Sequence, residues 1–198
     1  MVAKEPQTVQ SHDDQDEVEG SEESEVELKI DLRTERAAIQ KYLETRINEF
    51  DAQTNYGPGE GTTITAMDLG FEFSQGGWVA LIFDTRDDAE PDGQWTTFLD
   101  EENLFYSATD WPALADAMFE GESVEVTFVD GTTKSISDDW EELIVAIGEM
   151  LKDLLLEAKS SGLFKKLPKA PKCYIGVEDF EGNYGWPQYE QRETEGLL

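Results

Sequence analysis

The chain of 198 residues is long enough for one domain with an appendage, and its 45 acidic against 15 basic residues give it a formal charge of −30. That charge repels phosphate backbones and anionic lipid, so it argues against direct binding of nucleic acid or of a membrane surface and favours a basic protein partner. The single cysteine excludes an internal disulfide, and no apolar run approaches the roughly 20 residues that span a bilayer, so we expect a cytosolic location.

The N-terminal segment is the most polar part of the chain. Residues 1–31 hold eleven acidic and two basic residues, so −9 of the formal charge lies there and −21 lies on the remainder. Residues 1–28 contain almost nothing that could be buried, and such a segment cannot repay the entropy cost of ordering. We therefore predict a disordered acidic tail over residues 1–28 and a single domain over residues 29–198.

The first half of the predicted domain contains one helix and three strands. Apolar residues at helical spacing predict a helix over residues 30–50. Residues 62–74 alternate apolar side chains with Asp68, Gly70 and Glu72, which predicts a strand with one face exposed to water. The apolar run WVALIF, at residues 78–83, predicts a strand covered on both faces, and WTTFL, at residues 95–99, is a candidate antiparallel partner for it.

The second half adds two helices, a hairpin and a last strand. Thr109 or Asp110 caps a short helix that Gly121 ends, and a hairpin turns at residues 130–131. A long helix begins near residue 138, and residues 173–180 form the last strand. The apolar stripe of the long helix comprises Trp140, Leu143, Ile144, Ile147, Leu151, Leu154, Leu155 and Ala158.

This order of elements lacks the regular alternation of strand and helix that is typical of a doubly wound sheet. We therefore predict an α+β fold, in which a mainly antiparallel sheet of about five to six strands packs against about three helices.

The residue types limit the chemistry that the domain could perform. The only histidine, His12, lies in the predicted tail, which excludes the familiar Ser-His and Cys-His mechanisms and His-rich metal sites from the domain. Cys173 lies in the last strand, where a buried thiol is the favoured interpretation. The glycine-rich stretch at residues 57–61 lacks the Lys-Ser/Thr ending of a phosphate-binding loop. What remains for an enzyme is carboxylate chemistry or a carboxylate-bound metal.

An acidic loop over residues 84–95 is the most pointed chemical feature. Asp88, Glu90 and Asp92 occupy the first, third and fifth ligand positions of a calcium loop, but Leu99 stands where the closing glutamate should be. The favoured interpretation is a hairpin connection that presents five carboxylates to a basic partner, and calcium binding is the alternative. The five acids are Asp84, Asp87, Asp88, Glu90 and Asp92.

Two segments near the C-terminus also carry signals. The lysines of residues 165–172 alternate with prolines, which is typical of a stiff connector that closes the long helix, a polyproline ligand being the alternative. Residues 179–190 place aromatic side chains among carboxylates, either to fix the chain end onto the domain or to act as binding anchors. The candidate contacts there are Asp179, Glu181, Tyr184, Trp186 and Tyr189.

These features favour a non-enzymatic acidic domain that binds and masks a basic surface of a partner protein. In composition and order of elements the chain is broadly similar to small acidic α+β immunity proteins of bacterial toxin systems, which implies a nuclease toxin as one kind of partner. The first alternative is a divalent-metal module or hydrolase that binds calcium or magnesium at Asp88, Glu90 and Asp92, with no other cofactor expected. The second is an accessory domain, and the sequence leaves the oligomeric state open.

Overall fold

The computed structural model of the protein describes residues 28–50, 63–84, 104–107, 109–137, 140–187, 191 and 195–198. Three α-helices lie within these ranges: α1 (Leu32–Asn48), α2 (Trp111–Phe119) and α3 (Trp140–Ser161), the last followed by a 3-10 turn (Leu163–Lys166). The strands are β1 (Lys29–Asp31), β2 (Ile64–Glu72), β3 (Trp78–Asp84), β4 (Phe105–Tyr106), β5 (Val124–Thr127), β6 (Thr133–Ile136), β7 (Lys169–Asp179) and β8 (Gly185–Trp186).

The strands form two mixed sheets. The larger has the order β4-β3-β2-β7-β8, in which β2 and β7 are parallel and the other neighbours are antiparallel. The smaller has the order β1-β5-β6, in which β1 runs parallel to β5. The α+β class with three helices is therefore confirmed. Most of the strand pairs are antiparallel, as predicted. The described strands form two sheets instead of one, and β1 and β7 each pair in parallel with a strand that is distant in sequence.

A helix layer covers one face of the larger sheet. Met67, Leu69 and Phe71 of β2 are fully buried in the same core as the apolar faces of α1 and α3. The stripe predicted for α3 is buried from Leu143 to Ala158, and Trp140 at its start is partly buried. That wide stripe explains why α3 packs across the sheet, since a helix must bury such a face to be stable in water.

The opposite face of β2 is less exposed to water than predicted. Gly70 and Glu72 are buried, and Asp68 is half-buried. Phe180 covers Gly70: a Cβ at that glycine would lie 3.1 Å from Phe180 Cζ and 2.6 Å from Ile82 Cδ1. The alternation along β2 therefore predicts the strand correctly. Its second face is covered, however, because Gly70 leaves room for the Phe180 ring. The neighbouring strand β3 is buried on both faces from residue 79 onward, as predicted.

Several local predictions have clear outcomes. The hairpin of β5 and β6 is confirmed, with Val124 opposite Ile136, and Gly131 in its turn has a φ of +87°. The lysine-rich connector is shorter than predicted because β7 already begins at Lys169, which aligns with Ile64 of β2. Cys173 is buried in β7, as expected. The segment WTTFL lies outside the described residues. In the described part of the chain, no helix is long and apolar enough to cross a membrane.

The start of α1 differs from the sequence prediction by two residues, and the cause is visible at its cap. Asp31 is the N-cap: its carboxylate accepts the backbone N–H of Arg33 at 3.0 Å and pairs with the Arg33 guanidinium at 2.7 Å. These contacts satisfy a donor that the first helical turn would otherwise leave unpaired. The hydrogen bond from the Arg33 side chain lowers the pKa of Asp31 to about 2.

We predict that this cap contributes an acid-sensitive part of the stability. Because the pKa of Asp31 is lower in the folded than in the unfolded chain, the contribution is complete above about pH 4 and is lost as the pH falls toward 2. In Arg33→Gln, the NMR titration midpoint of Asp31 should move up toward its ordinary value. An unchanged midpoint would show that Arg33 is not the cause.

Candidate functional site

Most of the acidic loop predicted as a contact surface lies outside the described residues. Asp84 ends β3 and is 5 % exposed, and its backbone carbonyl accepts the Thr65 hydroxyl at 3.1 Å. Asp87, Asp88, Glu90 and Asp92 belong to the undescribed part, so both the calcium loop and the carboxylate surface stay predictions. Among the residues that are described, no group of three or more His, Cys, Asp or Glu side chains could hold a metal ion.

Asp179 organises the turn between β7 and β8. The residue is 4 % exposed, and its carboxylate accepts the backbone N–H groups of Glu181 at 3.2 Å and of Asn183 at 3.0 Å. The Asn183 side chain adds a third hydrogen bond to the same group at 3.0 Å. A buried carboxylate with three donors is a fixed structural element, so Asp179 orders the turn of residues 180–184.

Tyr184 and Trp186 fix the chain end onto the helices. Trp186 is 8 % exposed and donates its indole N–H to Glu195 at 3.1 Å. The Tyr184 ring packs over Gly148 of α3, and its hydroxyl donates to Glu149 at 2.8 Å. Burial and then the Glu149 carboxylate raise the pKa of Tyr184. These contacts favour the packing role for both aromatic residues. Tyr189 lies outside the described ranges.

An open cleft of about 480 Å³ lies where the β2–β3 turn and the β7–β8 turn meet the helices. Its volume falls within the range of roughly 300–1,000 Å³ that is usual for ligand sites. The lining comes from four separate segments of the chain and comprises Phe73, Ser74, Gln75, Ala115, Asp116, Phe119, Trp140, Glu181 and Asn183.

The lining of the cleft combines aromatic rings with carboxylates. Phe119 is 88 % exposed, and Trp140 is only partly buried. Asp116 lies one turn before Phe119 on α2, and Glu181 faces them from the β7–β8 turn, where it accepts the Ser74 hydroxyl. None of the nine lining residues is basic. The cleft therefore presents apolar surface and negative charge together.

Two carboxylates hold the start of α2, the helix that forms one wall of the cleft. Asp110 is the N-cap and accepts the backbone N–H of Ala113 at 3.1 Å. Glu35 of α1, which is 2 % exposed, accepts the hydroxyls of Ser107 and Thr109 just before the helix. A buried carboxylate on one helix thus anchors the segment that leads into the next.

A second aromatic group borders the same end of the sheet. Trp78 and Phe180 have ring centroids 5.0 Å apart, and Phe180 is 48 % exposed. Tyr106 aligns with Trp78 across β3 and β4 and is 60 % exposed. Phe180 directly precedes Glu181, so the acidic-aromatic segment predicted near the C-terminus contributes one residue to this group and two, Glu181 and Asn183, to the cleft.

Sequence reasoning placed Glu181 in the site but missed the residues on α2. Phe119 follows the inward-facing Met118 in the short helix α2, and at this position its side chain points away from the core of the domain. An aromatic residue outside the apolar stripe was the available signal. No signal in the sequence indicated the cleft itself, because its lining residues are far apart in the chain.

Comparison with known proteins adds no family to this description. No protein-family model, no curated protein and no solved structure matches the chain. The function must therefore be argued from the geometry and charge of the site.

Proposed function

We propose that this chain is a non-enzymatic acidic domain that binds a basic protein partner through the cleft. One observation carries the proposal: Phe119 is 88 % exposed beside two carboxylates, and none of the described lining residues is basic. Exposed aromatic residues are typical anchors of protein interfaces, and complementary charge accelerates encounter with a partner of opposite sign.

The side chains of the cleft support binding better than catalysis. The nine described residues of its lining include no histidine, cysteine or lysine, the residues that most often act as bases or nucleophiles near neutral pH. The formal charge of −30 further disfavours phosphate-bearing substrates.

We extend the proposal to the kind of partner. A nuclease toxin has a cationic surface that binds nucleic acid, and an acidic immunity-type inhibitor would mask it. The composition of the chain fits that role, and its single cysteine fits a reducing, cytosolic setting.

We predict that the loss of the exposed aromatic ring and of one carboxylate from the cleft weakens capture of one stoichiometric basic protein. The test variant combines Phe119→Ala with Glu181→Gln and is used as bait in extract of the native cell, at about 50 mM and about 500 mM salt. Loss of the aromatic anchor and of one carboxylate should weaken binding at least about tenfold, since a hot-spot truncation costs about 2 kcal/mol. Wild type should lose the partner as the salt concentration rises.

A control variant makes comparable changes outside the cleft, with an aliphatic residue in place of the aromatic one. Val129→Ala with Glu49→Gln removes one exposed apolar side chain, 41 % exposed, and one exposed carboxylate, so its net charge equals that of the test variant. The control should retain the partner. If both variants lose the same diffuse set of basic proteins, acidity alone is responsible and the accessory-domain alternative is supported.

A further inference from the structure

We infer that the cleft accepts an arginine side chain of the basic partner, with the guanidinium against the aromatic wall and its N–H groups directed at the carboxylates. This inference rests on the proposed function and names the group that the cleft recognises. It follows from three features of the lining: the spacing on α2, the order of the facing turn, and the absence of a competing cation among the described lining residues.

The α2 wall brings a ring and a carboxylate together. Asp116 and Phe119 are three residues apart, so their side chains are neighbours on one face of the helix, with Cβ atoms about 5–6 Å apart. Ala115, four residues before Phe119, is small and leaves space beside the ring. Trp140 at the start of α3 supplies a second aromatic side chain. A cation over an aromatic face and near a carboxylate is stabilised by both groups.

The facing wall offers ordered acceptors. Asp179 fixes the backbone of Glu181 and Asn183, and the Ser74 hydroxyl holds one oxygen of the Glu181 carboxylate. A guanidinium carries five N–H donors and no acceptor, so a wall of carboxylate and amide oxygens matches it. Acceptors that are already in place lower the entropy cost of binding.

Arginine fits this lining better than lysine. Its planar group stacks on aromatic rings and loses its hydration shell more easily than an ammonium does. It also engages carboxylates through two parallel hydrogen bonds. The nine lining residues contain no cation that would occupy the acidic wall from within the chain.

The test is an NMR titration of the full-length protein with a capped Gly-Arg-Gly peptide. The matched peptide carries citrulline, which has the same shape as arginine and no charge. We expect saturable shifts of the Ser74, Phe119 and Asn183 amides with a dissociation constant of about 1 mM, as suits a single side chain, and binding of the citrulline peptide at least about fivefold weaker.

Two variants locate the binding site. Phe119→Ala should weaken the arginine peptide by about two- to fivefold, whereas Tyr106→Ala, which truncates an aromatic residue that is 60 % exposed outside the cleft, should not change it. Equal binding of the two peptides, or shifts confined to other regions, would overturn the inference. If the cleft variants still lose the partner protein in that case, the proposed function stands without an arginine. If cleft and control variants capture the partner alike, the proposed function is wrong.

Discussion

Replacing Glu35 with alanine is expected to lower the free energy of unfolding by about 3 kcal/mol. The side chain is 2 % exposed, and its two oxygens accept the hydroxyls of Ser107 and Thr109. A hydrogen bond to a charged group contributes about 1.5–3 kcal/mol, and the lower value applies to each because both hydroxyls are half-buried and can reach water after the change. Chemical denaturation of the two proteins measures the difference.

Three further variants separate the hydrogen bonds from the loss of volume. Glu35→Gln keeps the shape, accepts one hydroxyl and donates to the other, so it should cost only about 1 kcal/mol. Thr109→Val removes one donor to Glu35, and its effect should largely disappear in the Glu35→Ala background. Ser107→Ala removes the other donor and also the acceptor of the Thr109 backbone N–H at 2.9 Å, so only part of its effect should disappear there. Fully additive effects would show that Glu35 does not act through these hydroxyls.

Glu35→Ala should also weaken binding at the cleft. Ser107 and Thr109 directly precede α2, which carries Asp116 and Phe119. Loosening this anchor should therefore weaken capture of the basic partner even though Glu35 does not line the cleft. The structure thus links the contact between α1 and the segment before α2 to the surface that we propose for binding.

The parts of the fold that could be predicted depend on contacts between residues close in sequence. The stripe of α3, for example Leu143, Ile147 and Leu151, repeats every three to four residues, so its buried face is visible in the sequence. The hairpin turn at residues 130–131 is equally local. The helix cap at Asp110 follows from the preference of short polar side chains for that position.

The parts that could not be predicted depend on long-range pairing. Strand β1 has three residues, too few to show a period of two. It pairs Ile30 with Val126, a residue far away in the sequence. Burial of Glu35 likewise needs partners more than seventy residues away. The prediction of the candidate site was the least complete, because sequence reasoning selected the densest group of acids, whereas the cleft combines one to three residues from each of four segments.

Replacing Gly148 with alanine is expected to destabilise the protein by about 2 kcal/mol, although alanine is the better helix former. A Cβ at this position would lie 2.5 Å from Cγ and 2.6 Å from Cε1 of Tyr184, which is closer than real side chains approach. The ring must shift, which disturbs its hydrogen bond to Glu149 and its contact with Phe71. Overpacking of this kind typically costs about 1–3 kcal/mol.

Truncating the ring should reverse the sign of the effect. In a Tyr184→Ala background, Gly148→Ala meets no ring and should stabilise the protein by up to about 1 kcal/mol, the gain in helix propensity. Ala146→Gly, a half-buried position two residues earlier in α3, serves as the control and should cost about the same amount with or without the ring. A loss of equal size in both backgrounds would contradict this account. Since Tyr184 closes the turn that carries Glu181, Gly148→Ala alone should also weaken binding at the cleft, whereas the control should not.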